Sequence, residues 1–145
     1  MTRLLPLFTL LALFMASPGQ AQTGSERFGD YQVYYSVFNS TFVLPDVASI
    51  HGLVRGNDRA LVNISVSRVD GGLGVPATLT GTATNLLQQA QTLEFQEISE
   101  GDTTYYIAPM RHLNEERYHF RISLQPEDSE QAFTLQFTQT LYQER

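Results

Sequence analysis

The nine residues RYHFRISLQ, Arg117 to Gln125, constrain the fold more than any other stretch. Tyr118, Phe120, Ile122 and Leu124 alternate strictly with His119, Arg121 and Ser123. A period of two gathers the apolar side chains on one face of an extended strand, whereas a helix needs its apolar stripe at a period near 3.6. Sliding the pairing by one residue would turn all four apolar groups to water, so the register is specified together with the strand. One buried face and one wet face are the mark of an antiparallel sheet.

The same alternation recurs along the chain. AFTLQFTQTLY directs Phe133, Leu135 and Phe137 inward, and LVNISVSRV does so with Val62, Ile64 and Val66. Tyr31 to Phe42 is rich in aromatic and β-branched residues and reads as a strand with Tyr31, Val33, Tyr35 and Val37 on one side. VPATLTGTATN follows, with Pro76 restricting its start to an edge or bulge. A strand from about Thr92 through Leu93 and Phe95, and another through TTYYIAPMRHL, complete seven. Between them VRGNDRA, DGGLG, SEGDTT and NEER read as turns or connections. LPDVASIHG departs from this pattern: Pro45 suits a first helical position, Asp46 favours a helix N-terminus, and Gly52 terminates, so one or two helical turns are expected.

The first twenty-one residues have their own logic. Arg3 precedes the apolar run LLPLFTLLALFMA, and Gly19 and Ala21 supply small residues at the recognition positions of a cleavable secretory signal. The run is shorter than the roughly twenty residues that span a bilayer as a helix. The expected organisation is a signal peptide at 1–21, a polar leader at 22–30 and one β-sandwich domain at 31–145, exported to the periplasm. With no cysteine there is no disulfide, and the apolar core alone must hold the domain.

Charge narrows the partners. Fifteen acidic residues face nine arginines and no lysine, for a net charge of -6. Loss of Arg3 with the signal makes the mature chain more acidic still, and a nucleic-acid partner is not expected. Strands eight to twelve residues apart in a chain of this size indicate an immunoglobulin-like antiparallel sandwich, with an eight-stranded lipocalin-like barrel as its structural rival. An outer-membrane barrel needs outward faces that are continuously apolar, and these carry Gln, Thr, Arg, Glu and Ser.

No catalytic signature emerges. Ser40, Asp46 and His51 are the residue types of a hydrolase triad, but Ser40 sits in FNSTF between bulky neighbours rather than in a glycine-flanked elbow. His51, His112 and His119, with Glu115, Glu116 or Asp46, lack the short fixed spacings of metal sites, and the glycine-bearing turns lack the strand-to-helix context of a phosphate cradle. No metal, no cofactor and no enzymatic activity are expected. Asn39-Ser40-Thr41 and Asn63-Ile64-Ser65 fit the glycosylation tripeptide, which matters only in a eukaryotic secretory pathway.

Two features point to recognition instead. Arg55 and Arg59 flank the turn at Asn57, where two planar guanidiniums could face an anion or simply remain solvated. Tyr34–Tyr35 and Tyr105–Tyr106 are adjacent pairs, and because strand neighbours point to opposite faces each pair sends one ring inward and one outward.

The segments YYSVFNSTFVLPDVASIHGLVRGNDRALVNISV, GTATNLLQQAQTLEFQEISEGDTTYYIAP and LQFTQTLY resemble a family of secreted proteobacterial proteins, the domain of unknown function DUF4426. The most specific matches include Asn39, Pro45, Arg55, Asn63, Gly81, Asn85, Glu100, Tyr105, Tyr106 and Gln139. The resemblance implies a periplasmic address in a Gram-negative cell and an immunoglobulin-like domain, and supplies no activity. The expected role is a non-enzymatic module that binds a protein or envelope component, using Asn39, Arg55, Arg59, Asn63, Tyr105 and Tyr106. The alternative is a module for a small anionic ligand held by Arg55 or Arg59.

Overall fold

The computed structural model describes residues 22–72 and 74–143. The expected signal peptide at 1–21 lies outside them. The fold is all-β: the described residues form nine strands in two antiparallel sheets packed face to face. They are β1 (Gln22–Phe28), β2 (Tyr31–Asn39), β3 (Arg59–Arg68), β4 (Ala77–Asn85), β5 (Ala90–Leu93), β6 (Gln96–Glu100), β7 (Thr103–Arg111), β8 (Glu116–Pro126) and β9 (Phe133–Leu141). One sheet has the order β1-β2-β3-β7-β6 and the other β5-β4-β8-β9.

Nine strands replace the expected seven for two reasons. The polar stretch read as a leader forms β1, in register along the whole of its length with β2 from Gln22 opposite Val37 to Phe28 opposite Tyr31. Its side chains do not alternate in polarity, so main-chain hydrogen bonding rather than burial defines it. Gly24 permits the close pairing, since a Cβ there would stand 2.5 Å from the Tyr35 ring. The second reason is the segment around Thr92, which is not one strand: β5 pairs with β4, β6 pairs with β7, and Glu94 and Phe95 carry the chain from one sheet to the other.

The alternation of β8 is realised residue by residue, with Tyr118, Phe120, Ile122 and Leu124 buried and the residues between them exposed. They meet Val33, Val37, Val62, Ile64 and Val66 of the other sheet in one continuous core. Tyr35, Phe137 and Phe120 stack in series across it, at centroid distances of 4.3 and 4.7 Å. Such stacked contacts add to the burial of three large rings.

The β2–β3 connection is the one long excursion from the sheets. β2 ends at Asn39 rather than Phe42, because Ser40–Phe42 turn into a single 3-10 turn. A six-residue helical segment, α1 (Pro45–Ile50), follows with Pro45 and Asp46 in its first turn. Gly52 takes a left-handed φ of +67°, as a terminating glycine should. At little more than a turn and a half, α1 is a detail of this connection and not a layer of the fold.

Candidate functional site

The residues expected to form a binding surface divide into a rigid loop base and a scattered remainder. Asn39 caps the 3-10 turn: its Oδ1 accepts from the Thr41 amide at 2.9 Å and the Thr41 hydroxyl at 2.8 Å, and its Nδ2 donates to the Asn57 carbonyl at 3.2 Å. This is the use of Asn that strand ends favour. Ser40 is fully buried, and its hydroxyl donates to the Gly56 carbonyl at 3.0 Å while accepting from the Gly56 amide at 2.9 Å. Arg55 donates to the Thr41 carbonyl at 3.0 Å. The two ends of the excursion are thereby pinned together, and Gln96 Nε2 of β6 donates to the His51 carbonyl at 3.0 Å further along it.

What this base holds up is apolar. Phe42 (55 % exposed), Leu44 (69 %), Val47 (41 %), Ile50 (76 %) and Val54 (57 %) all lie on the excursion. Five large apolar side chains left exposed along this one connection are not explained by burial in the core.

The other expected residues lie elsewhere. Arg59 opens β3, half-buried, opposite Arg111. Asn63 sits mid-β3 on the outer face between Ser36 and Ile107, and its Oδ1 is buried without a partner. Tyr105 is half-buried on the outer face, opposite Ile98 of β6. Tyr106, expected among the binding residues, is the inward member of its pair and is not available to a partner: it is 4 % exposed, and its hydroxyl accepts from the Ala77 amide at 2.8 Å and donates to Glu97 at 3.3 Å. Burial, with the Glu97 carboxylate beside it, outweighs the hydrogen bond from the Ala77 amide and pushes the phenol's pKa above its ordinary value. The tyrosine pairs do divide inward and outward, Tyr34 being exposed and Tyr35 stacked on Phe137.

A second constellation, at the same end of the sandwich, was not singled out from the sequence. A cleft of about 410 Å³ opens beside Asp58, Asn85, Arg111, His112, Glu116 and Tyr118. The Glu116 carboxylate accepts from Asn85 Nδ2 at 2.9 Å, from the Leu113 amide at 3.0 Å and from the Tyr118 hydroxyl. Burial alone would raise the Glu116 carboxyl, but the hydrogen bonds from Tyr118, Leu113 and Asn85, with His112 nearby, outweigh it and hold the group below the ordinary carboxylate value. Burial first, and then the bond to and charge of Glu116, push the Tyr118 phenol upward. Asn85 is saturated as well: Oδ1 accepts from the Leu87 and Gln89 amides, and Nδ2 donates to Gln89 and Glu116.

A carboxylate held ionised by three donors is poorly placed to take up a proton as a general base. The cluster instead locks the β4–β5 turn to the β7–β8 turn. His112, 4 % exposed, donates from Nδ1 to the Leu113 carbonyl at 3.0 Å, and its amide donates to the Asp58 carbonyl at 3.0 Å. The signal available in the sequence was Asn85 together with an acidic residue two positions before an inward tyrosine. Among the described residues no group of three or more His, Asp or Glu is arranged to hold a metal ion. No helix there is long and apolar enough to cross a membrane.

A family model for a domain of unknown function, DUF4426, matches residues 25–144. A crystal structure of a DUF4426 family protein from Pseudomonas aeruginosa PAO1 is 33% identical, with a TM-score of 0.77, and the alignment covers 85% of this chain and 97% of that one. Two structures of FetP from uropathogenic Escherichia coli share the fold at 12% identity. The copper-bound variant has a TM-score of 0.65 and the alignment covers 86% of this chain and 99% of that one. The as-isolated protein, recombinantly expressed in the E. coli periplasm, has a TM-score of 0.61 and coverage of 88% and 99%. No curated protein matches the chain.

Proposed function

The chain belongs to the DUF4426 family, and from that premise we propose that it is a non-enzymatic interaction module of the Gram-negative periplasm that docks a protein partner through its β2–β3 excursion. The exposure of Phe42, Leu44, Val47, Ile50 and Val54 on a connection pinned by Asn39, Ser40 and Arg55 carries this reading. A rigid apolar protrusion enters a groove on a partner with little ordering cost, because its shape is set beforehand. A lipid surface suits it less well, since Asp46 stands in the same helical segment and the net charge of -6 opposes anionic headgroups. Arg55, the leading candidate for a small anion, is engaged with the Thr41 carbonyl. The signal-like N-terminus supports export, with the mature domain beginning at Gln22.

The strand order supports an immunoglobulin-like assignment. Setting β1 aside, β2-β3-β7-β6 corresponds to the A-B-E-D sheet, and β9-β8-β4-β5 to G-F-C with an added C′ strand. On that assignment the excursion is the A–B connection, at the end of the sandwich where the C–C′ turn also lies.

Photo-crosslinking in the native envelope tests the docking surface. A photoreactive residue at Ile50 is expected to yield a discrete protein adduct, and one at Thr78 on the opposite sheet is not. Adding Leu44→Glu is expected to abolish the adduct. No adduct at Ile50, or the same adducts from both positions, overturns the proposal.

A further inference from the structure

The outer face of the β5-β4-β8-β9 sheet has the opposite character to the excursion. Arg117, His119 and Arg121 point outward from β8 at alternate positions, all exposed, followed by Ser123 and Gln125. Successive outward residues on a strand lie about 6.7 Å apart, so the three basic side chains form a line of roughly 13 Å. The threonine column Thr78–Thr84 of β4 flanks the line on one side, in register from Thr84 opposite His119 to Thr78 opposite Gln125. On the other side stand Thr140, Thr138 and Gln136 of β9.

Charge is segregated on this face. Glu116 is the sole acidic residue within these four strands, and it belongs to the inward-facing cluster with Tyr118. Neither Arg117 nor Arg121 has an ion-pair partner among the described residues. His119 is braced by its neighbours, with Nε2 at 3.0 Å from Gln136 Oε1 and Nδ1 at 3.3 Å from the Thr138 hydroxyl. In a chain of net charge -6, two guanidiniums in a carboxylate-free row are a local reversal of sign. Beside β5 the face sinks into a shallow depression of about 760 Å³ lined by Thr80, Thr82, Thr92, Arg121 and Ser123 together with Glu94 and Phe95 of the β5–β6 connection.

We propose that this face binds a carboxylate-bearing polysaccharide laid along β8. Guanidiniums pair with carboxylates by parallel charge-assisted hydrogen bonds. Threonine hydroxyls and glutamine amides both donate and accept, which matches the mixed hydrogen bonding of sugar hydroxyls. The outward positions of β4, β8 and β9 present no aromatic ring on which a nucleic-acid base could stack, and no large apolar group that could enter a bilayer. The surface lies on the sheet opposite the one that carries the β2–β3 excursion, so it stands or falls separately from the protein-docking reading.

Titration of the protein with oligogalacturonate, a polyuronic acid, tests the proposal. Saturable binding that weakens with salt is expected, with no binding of neutral dextran. The double variant Arg117→Gln with Arg121→Gln is expected to weaken it about tenfold or more. Thr82→Glu, which sets a carboxylate beside Arg121, should weaken it by a second route. Arg27→Gln, which removes one guanidinium from β1, should leave it unchanged where Arg121→Gln alone weakens it, and circular dichroism should show all variants folded. Absence of binding, equal binding by the double variant, equal loss with Arg27→Gln, or tighter binding of single-stranded DNA or anionic vesicles each overturns it.

Discussion

The two ends of the sandwich close by different physics. At one end, Asn39, Ser40, Asn85 and Glu116 tie down three connections, β2–β3, β4–β5 and β7–β8, through hydrogen bonds, and Ser40 and Asn85 are buried. At the other, Tyr31 donates to Asp128 at 2.6 Å, Arg68 pairs with the same carboxylate, and the Arg68 guanidinium lies 5.5 Å from the Tyr31 ring centre. Both members of that ion pair are 41 % exposed. Groups removed from water must keep their partners or incur the full cost of desolvation, whereas exposed ions exchange partners with solvent at little cost. The first end is therefore the rigid one, and it is the end that presents the apolar excursion.

Four measurements can break or sharpen this contrast. Asn85→Ala should have the largest effect: it strips acceptors from the Leu87 and Gln89 amides and a donor from Glu116, and should cost about 3 kcal/mol in urea denaturation. Ser40→Ala should follow at about 2 kcal/mol, since it leaves the amide and carbonyl of Gly56 unpaired beside a buried methyl group.

The third measurement is a pH profile. Glu116 is depressed in the folded state, so its stabilisation is present above the ordinary carboxylate value of 4.5 and is lost as pH falls below it. Tyr118 is raised, so its contribution is complete below the ordinary value of 10.0 and is lost as pH rises through and above it. Unfolding free energies at both extremes should therefore fall, and Glu116→Gln should flatten the acid limb while Tyr118→Phe flattens the alkaline one. Unchanged limbs would remove the charge from the account of this end. The smallest effect belongs to the opposite end, where Asp128→Asn should cost no more than about 1 kcal/mol and less in high salt. A loss there equal to that of Asn85→Ala would erase the distinction.

These contrasts bear on what the sequence revealed. β8, β3 and β9 were legible because each buries one face and wets the other, and the period of two is then written into residue choice. β1 was not, because Thr23, Gly24, Ser25 and Glu26 carry no such pattern and the strand exists through its ladder with β2. The break between β5 and β6 was hidden for a related reason: Leu93 and Phe95 keep the spacing of one strand although the chain changes sheets between Leu93 and Gln96. At the site, Asn39 and Arg55 were visible as polar residues around a turn, but their role in pinning its ends required knowing that Thr41, Asn57 and Gly56 return to the same place. Tyr105 and Tyr106 were correctly divided between the faces, yet only packing showed that the Tyr106 hydroxyl is occupied by Ala77 and Glu97.

The sequence by itself determined an all-β antiparallel chain, its family, the inward residues of its strongest strands and the short helical turn at Pro45. These follow from local rules, the period of side-chain burial and the backbone preferences of proline and glycine, which act over a few residues. Only the tertiary structure decided which strands share a sheet, that the β2–β3 excursion stands out with its apolar side chains in water, and that Asn85, His112, Glu116 and Tyr118 meet in one cleft. Those outcomes depend on strand ends dozens of positions apart meeting at one end of the sandwich, and contacts of that range leave no periodic trace along the chain.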